Sequence, residues 1–346
     1  MESATIAGTN LKISRIGLGT WAIGGWMWGG TDEIEAMRTI RSAVDRGVTL
    51  IDTAPAYGFG KSEEIIGEVL EREGLRSRVV LATKVGLDWH NGQPFRNASK
   101  RRVFAEVEAS LRRLRTDFID IYQVHWPDPE TPIEETAEAM LTLFKGGIIR
   151  AIGVSNFSIE QMSRFKAVAP IHTVQPPYNL FERQIEKNVL RYCLWEGTAA
   201  LAYGPICRGL LSGRMTIDTT FDGDDLRKTD PKFQPPRYMQ YLQAVQSLDR
   251  FARETYGKRV IHLALRWVLD QQAVCAALWG ARQPDQLDPL DGVMGWKLDA
   301  AAMAEIDRIV REFVKDPVGP EFMAPPARHE LYGTESAQAL GDHPQG

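Results

Sequence analysis

Four side chains of this 346-residue sequence stand where short apolar segments end, a common position for the reacting groups of an enzyme. Asp52 and Lys84 each end a β-prone run. Tyr57 follows the first run in a turn rich in proline and glycine, and His125 directly follows a third run. If these runs are neighbouring parallel strands, the four side chains meet at one rim. A lone aspartate or histidine is commonly structural, so the prediction depends on all four being in register.

The chemistry that suits these groups is proton transfer through the phenol of Tyr57. An unperturbed tyrosine is too weak an acid for neutral pH, and a nearby ammonium lowers its pKa by stabilising the phenolate. We expect Lys84 to supply that charge and Asp52 to hold Lys84, because a buried lysine needs a partner. His125 would donate a hydrogen bond to a substrate oxygen and orient it.

Alternating strand and helix patterns position these residues. A helical stretch separates consecutive strands, which are predicted at 14–19, 49–52, 79–83, 118–124, 148–154, 173–175, 199–202 and 274–277. Eight such alternations favour an α/β fold, a single closed (β/α)8 TIM barrel, over an open doubly wound sheet. We place the barrel at residues 1–313 and a C-terminal loop or tail at 314–346, whose last dozen residues we expect to be mobile.

Two helix starts are predicted from capping boxes. In this motif a Ser or Thr hydroxyl and a Glu or Gln side chain three residues later satisfy free backbone N–H groups. Thr131-Pro-Ile-Glu134, with proline at the first helical position, and Ser158-Ile-Glu-Gln161 fit the pattern.

Tryptophans also follow the predicted strand ends. Six of the nine do so, namely Trp21, Trp26, Trp28, Trp89, Trp126 and Trp279. Indole rings at a pocket mouth contribute apolar area and one hydrogen-bond donor. We therefore expect a substrate pocket formed by Trp21, Trp26, Trp28, Trp89 and Trp126.

The overall composition excludes several classes of protein. Charged residues at 25%, hydrophobic residues at 44% and a net charge of -4 are ordinary for a soluble protein and indicate no nucleic-acid or membrane partner. The N-terminus has no signal-peptide pattern, and three widely spaced cysteines form neither a disulfide framework nor a zinc motif. No H-x-x-x-H pair occurs among the histidines. We expect a cytoplasmic protein that needs no metal ion.

Taken together, the motifs resemble those of the aldo-keto reductases. Asp52, Tyr57, Lys84 and His125 match the catalytic tetrad of that family. The resemblance covers roughly residues 10–312. Within the family, the sequence is most similar to the bacterial polyol branch, such as glycerol dehydrogenases that reduce glyceraldehyde. The matching segments, in family order, are Gly17-Leu-Gly-Thr-Trp21, Asp52 to Gly58, Thr83-Lys84-Val85, His125-Trp-Pro127, Gly153-Val-Ser-Asn-Phe157 and Gly280-Ala-Arg282.

This resemblance implies an activity. It implies reversible, NADPH-dependent reduction of aldehydes and ketones to alcohols by direct hydride transfer, with Tyr57 as the proton donor. The implied partner is a small carbonyl or alcohol substrate, and the implied assembly is a monomer. Because the C-terminal loop of the family borders the substrate pocket, Phe322, Met323 and Tyr332 are candidates for shaping specificity.

The resemblance also implies where the cofactor binds. Neither a complete G-x-G-x-x-G motif nor a P-loop is present, which is consistent with a cofactor that lies across barrel strand ends. Ser155, Asn156 and Gln175 would bind the nicotinamide amide, and Tyr203 would stack on the nicotinamide ring. Further contacts are implied for Gly19, Thr20, Trp21, Asp52, Gly204, Pro205, Ile206, Gly209, Gly280 and Gln286.

Arginines are the candidates for binding the cofactor phosphates, because their planar cation matches a phosphate group. The resemblance implies three partners for the pyrophosphate, namely Arg208, Arg214 and Arg227. Arg282, at a predicted helix start, is similar to the contact for the 2′-phosphate, which favours NADP(H). Leu290 departs from the asparagine that many relatives use for adenine, and Asp285 is close by in sequence, so NAD(H) stays possible.

Two other functions remain open at this point. Some relatives with this fold bind the cofactor chiefly to modulate a membrane partner, so a regulatory subunit with slow or no turnover is one alternative. A carbohydrate-acting barrel with paired carboxylates is another, using Asp120 and Asp128, but it leaves Lys84 and Tyr57 without a role. The sequence does not determine the substrate, because loop shape decides it.

Overall fold

The structure is a computed structural model that describes residues 1–331. Tyr332 and the last dozen residues, which were expected to be mobile, lie outside the described residues. In chain order the strands are β1 (Ser3–Thr5), β2 (Lys12–Ser14), β3 (Ile16–Gly19), β4 (Leu50–Asp52), β5 (Val80–Val85), β6 (Leu87–His90), β7 (Gln93–Arg96), β8 (Ile121–Val124), β9 (Ile152–Ser155), β10 (Thr173–Gln175), β11 (Ala199–Tyr203) and β12 (Val274–Gly280).

The α-helices are interspersed with these strands. They are α1 (Trp21–Gly24), α2 (Glu33–Asp45), α3 (Lys61–Arg72), α4 (Lys100–Leu114), α5 (Ile133–Lys145), α6 (Ile159–Lys166), α7 (Val189–Glu196), α8 (Arg237–Tyr256), α9 (Val260–Leu269) and α10 (Ala300–Phe313). Within residues 1–331, none of the helices has the length and apolar character needed to cross a membrane.

Eight parallel strands close into a barrel, which confirms the predicted (β/α)8 fold. The barrel order is β3, β4, β5, β8, β9, β10, β11 and β12, after which β12 pairs with β3. Because the strands are parallel, all their carboxyl ends lie at one rim. The register places Asp52 beside Gly19 and Ala82, and Lys84 beside Gln123.

Two antiparallel hairpins flank the barrel, and the sequence patterns predicted neither of them. In the first, β1 pairs with β2, and the predicted strand 14–19 is broken at Arg15, whose guanidinium donates to Val274 O at 2.8 Å. In the second, β6 pairs with β7 directly after β5, at the carboxyl rim. The second hairpin therefore adds a wall to the face where the candidate residues lie.

The interior of the barrel changes character along its axis. The amino end is filled by a cluster that includes Leu50, Ile121 and Leu201, and Ile6 and Ile13 from the first hairpin pack against it. Fully burying one such aliphatic side chain contributes about 1.5–3 kcal/mol. Polar side chains at the carboxyl end therefore rest on a closed apolar floor.

The two predicted capping boxes have different outcomes. At α6 the Ser158 hydroxyl accepts from the backbone N–H of Gln161, and the Gln161 side chain accepts from Ser158 N, so this prediction is confirmed. At α5 the prediction is wrong, because Pro132 occupies the N-cap position. The Thr131 hydroxyl instead donates to Asp128 Oδ2 at 2.7 Å.

Candidate active site

The centre of the site is Lys84, near the end of β5, whose side chain is fully buried. Its Nζ donates to Asp52 Oδ1 at 2.6 Å, to Thr53 O at 2.9 Å and to the Tyr57 hydroxyl at 3.2 Å. Burial acts to lower the pKa of Lys84, but the Asp52 carboxylate and the Tyr57 hydroxyl outweigh it and raise the pKa. Lys84 is therefore a charged, fully paired ammonium directly below the phenol.

The second oxygen of Asp52 is held by two glutamines. Gln175 Nε2 donates to Asp52 Oδ2 at 2.7 Å, and Gln123 Nε2 donates to the same oxygen at 3.2 Å. Gln123 was not among the predicted site residues. A glutamine inside the otherwise apolar strand β8 was the available signal, because a buried amide requires hydrogen-bond partners.

Tyr57 lies in the tight turn after β4, against α1. The turn depends on two glycines, since a Cβ at Gly58 would lie 2.2 Å from Gly24 O, and Gly58 has a φ of 69°. The Tyr57 ring stacks on Trp21 with 6.0 Å between ring centroids. Burial raises the pKa of Tyr57, and the Lys84 ammonium offsets this only in part. Lys84 lowers this pKa as expected, but desolvation of the phenolate outweighs it, so the pKa of Tyr57 is raised overall.

His125 follows β8 and faces the phenol. Its ring lies edge-on to Tyr57 with centroids 5.7 Å apart, and its backbone N–H continues the barrel ladder to Val85 O at 2.7 Å. Burial, together with the Lys84 charge, lowers the pKa of His125 well below its ordinary value. The imidazole is neutral at physiological pH and carries one N–H that can be donated to a substrate oxygen.

A cavity of about 680 Å³ opens at the carboxyl rim of the barrel. Asp52, Tyr57 and His125 line it, and Lys84 lies below its floor. Every residue predicted to contact the cofactor also lines it: Gly19, Thr20, Trp21, Asp52, Ser155, Asn156, Gln175, Tyr203, Gly204, Pro205, Ile206, Arg208, Gly209, Arg214, Arg227, Gly280, Arg282 and Gln286. The structure thus brings the predicted catalytic and cofactor residues together around one cavity.

Four of the five tryptophans predicted for the substrate pocket line this cavity, namely Trp21, Trp26, Trp28 and Trp126. Trp89 is not among the lining residues, so its placement is corrected. It lies in the β6–β7 hairpin rather than at a strand end, packing on Phe59 with ring centroids 5.6 Å apart. The Arg102 guanidinium covers its ring at 5.3 Å. Trp89 therefore supports the hairpin from outside the pocket.

A group of amides and hydroxyls forms one wall of the cavity. The Tyr203 hydroxyl donates to Asn156 Oδ1 at 3.0 Å, and Asn156 Nδ2 donates to Ser155 Oγ at 3.1 Å. Ser155 Oγ in turn donates to Gln175 O at 2.7 Å. A carboxamide needs both donors and acceptors, and this wall offers both, so the residues present fit a nicotinamide.

The arginines along the cavity have different partners. Arg208 is buried, with Nε donating to Asp230 Oδ2 and Nη2 donating to Glu182 Oε1, each at 2.5 Å. Its expected role as a pyrophosphate partner does not fit, because two carboxylates already occupy its guanidinium. Arg227 is held bidentately by Asp225 at 2.6 and 2.9 Å.

Arg282 and Arg214 are the arginines more open to an anion. Arg214 is exposed and has only a 3.8 Å contact to Asp285. Arg282 Nη1 donates to Trp28 O at 2.6 Å, and among the described residues no carboxylate forms a close ion pair with it, although its charge helps to lower the pKa of Asp225. The expected α-helix start beyond it is a 3-10 helix, Pro284–Gly292, and Gln286 Oε1 already accepts from Arg282 N. An anion here would depend on the arginine side chain more than on free backbone N–H groups.

Comparisons with known proteins agree with this geometry. Residues 15–311 match the model of the Aldo/keto reductase family. The chain is 60% identical over 331 residues to the aldo-keto reductase YhdN of Bacillus subtilis, covering 96% of this chain and all of that protein. It is 34% identical over 302 residues to the NADH-specific methylglyoxal reductase of Escherichia coli, covering 83% of this chain and 91% of that one. Among solved structures, it is similar to glycerol dehydrogenase AKR11B4 of Gluconobacter oxydans, with 50% identity, a TM-score of 0.85 and coverage of 93% and 99%.

Proposed function

This chain belongs to the aldo/keto reductase family and is an NAD(P)-dependent oxidoreductase acting on carbonyl or alcohol groups. From this premise we propose that it reduces aldehydes and ketones reversibly with NADP(H), with Tyr57 as the proton donor. The observation that carries the proposal is the buried Lys84 ammonium, which contacts both Asp52 and the Tyr57 hydroxyl at the cavity floor.

The residues divide the reaction between them. When bound, the nicotinamide cofactor supplies the hydride that the carbonyl carbon accepts. His125 donates a hydrogen bond that orients the carbonyl oxygen, and its low pKa keeps it neutral while it does so. Tyr57 stays protonated because burial raises its pKa, and it gives its proton to the forming alkoxide. Lys84 stabilises the phenolate left behind, and Asp52 keeps the ammonium in place.

NADP(H) is the favoured cofactor because Arg282 has carbonyl oxygens rather than a carboxylate as partners. Ser155, Asn156, Gln175 and Tyr203 would hold the nicotinamide end. One relative is named as NADH-specific, so preference within the family varies, and Leu290 here is buried and does not line the cavity. Arg282 is therefore the residue on which the proposed preference depends.

Small carbonyl compounds are the proposed substrates. Support comes from two relatives, one named a glycerol dehydrogenase and the other a methylglyoxal reductase. The cavity next to Tyr57 also has room for a larger apolar group, since Trp21, Trp26 and Trp126 line it. A panel of DL-glyceraldehyde, methylglyoxal and benzaldehyde covers these possibilities.

The test is NADPH and NADH consumption with this panel by the wild type and by Tyr57→Phe. We expect Tyr57→Phe to lower kcat/KM by about 10²–10⁴-fold, the usual contribution of a positioned acid, with the Kd for NADPH unchanged. Tyr192→Phe on α7, which lies outside the cavity, serves as the control and should keep full activity. Tight NADPH binding without turnover of any carbonyl by the wild type would instead favour a regulatory subunit.

A further inference from the structure

The C-terminal segment Gly319–Ala327 crosses the cavity and is fastened on both sides. On one side, Lys232 Nζ donates to Gly319 O at 3.0 Å. On the other side, Arg96 Nε donates to Pro325 O at 2.7 Å, Arg96 N donates to Pro326 O at 3.0 Å, and Arg96 pairs in parallel with Ala327. Residues 322–326 of this segment line the cavity.

Arg96 joins three parts of the chain that are far apart in sequence. It ends β7 of the second hairpin, and its guanidinium lies 5.5 Å from the centroid of Trp126, in the loop after β8. The same guanidinium reaches Pro127 O at 3.5 Å and holds Pro325 O of the C-terminal segment. One half-buried side chain therefore connects the hairpin, the loop that carries His125, and the C-terminal segment.

The wall that these three parts form is mostly apolar. Its apolar residues are Leu87, Pro94, Trp126, Phe322, Met323 and Pro325, and its polar residues are Gln93 and His125. Because the apolar side chains predominate and no cationic side chain belongs to these three parts of the lining, the wall favours an uncharged, apolar group beside the carbonyl over a phosphate or a carboxylate. Its position depends on the backbone of the C-terminal segment, since Phe322, Met323 and Pro325 belong to it.

We propose that Arg96 is a positioning residue for the substrate: it holds the C-terminal segment over Trp126 and so sets the affinity for carbonyl compounds with an apolar flank. The proposal rests on the reductase function proposed above. Arg96 is not among the residues that line the cavity and does not contact the tetrad in the described structure, so it acts on substrate affinity rather than on hydride or proton transfer.

The experiment compares the wild type with Arg96→Met and Arg96→Lys, using benzaldehyde as an apolar probe and DL-glyceraldehyde as a small polar probe. For Arg96→Met we expect KM for benzaldehyde to rise on the order of tenfold, with kcat within about threefold and the Kd for NADPH unchanged, the pattern of lost binding rather than lost chemistry. KM for glyceraldehyde should change little, because its hydroxyl groups gain little from contact with an apolar wall. The KM of Arg96→Lys for benzaldehyde should lie between the values of the wild type and Arg96→Met, since an ammonium can donate to Pro325 O but lacks the planar fork of a guanidinium.

The matched control is Arg76→Met at the opposite end of the barrel. Arg76 also covers an aromatic ring, Phe118 at 4.1 Å, and donates to a backbone oxygen, Phe118 O at 3.1 Å. It additionally pairs with the buried Asp120 at 2.8 Å, so its loss perturbs the fold at least as much as the loss of Arg96. A purely structural loss would affect both variants alike and both probes equally. Equal loss for both probes in Arg96→Met, or unchanged selectivity between them, would overturn the proposal.

Hydrogen exchange separates this inference from the proposed reaction. In Arg96→Met the amides of residues 321–324 and 327–331 should exchange faster than in the wild type, whereas Arg76→Met should leave them unchanged. Hydrogen exchange does not require turnover. It therefore tests the positioning role of Arg96 even if the wild type reduces none of the probes and the proposed function fails. Unchanged exchange in this segment would overturn the positioning role.

Discussion

At the residue scale, the site depends on one buried cation and its acceptors. Removing an ammonium from water costs several kcal/mol, and the three oxygens around Lys84 offset that cost. Breaking such a pair by removing one partner costs about 3–5 kcal/mol, because the other charge stays buried. Substituting Lys84 or Asp52 is therefore expected to change both folding stability and catalysis, whereas Tyr57→Phe removes only a hydroxyl group.

The pKa values of His125 and Tyr57 predict how reduction depends on pH. His125 is neutral and Tyr57 is protonated throughout the neutral range, since burial lowers the first pKa and raises the second. We expect kcat for carbonyl reduction to change less than about twofold between roughly pH 6.5 and 9, because the ordinary values of about 6.5 and 10 already bound this range. Steady-state rates in one buffer series measure this. An inflection near pH 6.5 that disappears in His125→Asn would contradict it.

The same histidine predicts the direction of a stability change. The folded state holds His125 at a lowered pKa, so the unfolded state binds its proton first as pH falls. This contribution to stability is complete above about pH 6.5, the unfolded value, and is lost as pH falls towards the folded pKa. Urea unfolding at pH 7.5 and 5.5 should show a smaller loss for His125→Asn than for the wild type. His172 and His262, whose pKa values burial also lowers, would account for the remainder.

At the element scale, close helix packing determines where the strand ends lie. In α3, Gly67 faces the end of α4, and a Cβ there would lie 2.2 Å from Arg113 O. Glu63 of α3 accepts from Arg113 Nε at 2.6 Å and from Thr83 Oγ1, next to Lys84, at 2.6 Å. The packing of α3 against α4 is therefore connected to β5, the strand that carries Lys84, through the Glu63 carboxylate.

Gly67→Ala tests whether helix propensity or close packing dominates at the contact between α3 and α4. Alanine favours an exposed helix over glycine by about 1 kcal/mol, but overpacking a core typically costs about 1–3 kcal/mol, and a rigid backbone oxygen at 2.2 Å leaves little room to relax. We expect Gly67→Ala to lower the free energy of unfolding by at least about 1 kcal/mol in urea denaturation. Glu64→Ala, on the exposed side of α3, should stay within about 0.5 kcal/mol of the wild type. A stabilised Gly67→Ala would show that α3 and α4 can move apart.

At the scale of the whole molecule, the cavity is enclosed by contacts between distant loops. Asp224 accepts from Met27 N at 2.7 Å and from Gly29 N at 2.9 Å, which ties the loop after α1 to the segment after β11. Arg282, after β12, donates to Trp28 O in the same loop. The groove proposed for the cofactor is thus bounded by three loops that meet only in the folded barrel.

Arg282→Ala tests both roles of this arginine. A hydrogen bond to a charged group contributes about 1.5–3 kcal/mol, so we expect the Kd for NADPH to rise on the order of tenfold or more. The Kd for NADH should change much less, because NADH lacks the 2′-phosphate; titration of both cofactors by fluorescence measures the two effects. Arg214→Ala is the comparison, since that exposed arginine is already near Asp285. An equal rise in the Kd for NADH would mean that Arg282 acts only by holding the loop that contains Trp28.

The sequence by itself determined the barrel and the order of its strand ends. These follow from local patterns, since strand and helix periodicity are properties of neighbouring residues and eight alternations leave few architectures. Parallel strands share one rim, so Asp52 and Tyr57 after β4, Lys84 near the end of β5 and His125 after β8 had to lie near one another. The Ser158 capping box was equally predictable, because all its atoms lie within four residues.

Only the tertiary structure decided what those residues are free to do. Arg208 is neutralised by Glu182 and Asp230, 26 and 22 residues away, and no local pattern contains that pairing. The pKa of Tyr57 is raised overall although Lys84 lowers it, because burial depends on the whole surrounding fold. Arg96 became a link between three loops for the same reason: its acceptor Pro325 O lies 229 residues along the chain. Local sequence determines which groups reach the rim, and long-range packing determines their charge, their partners and the space around them.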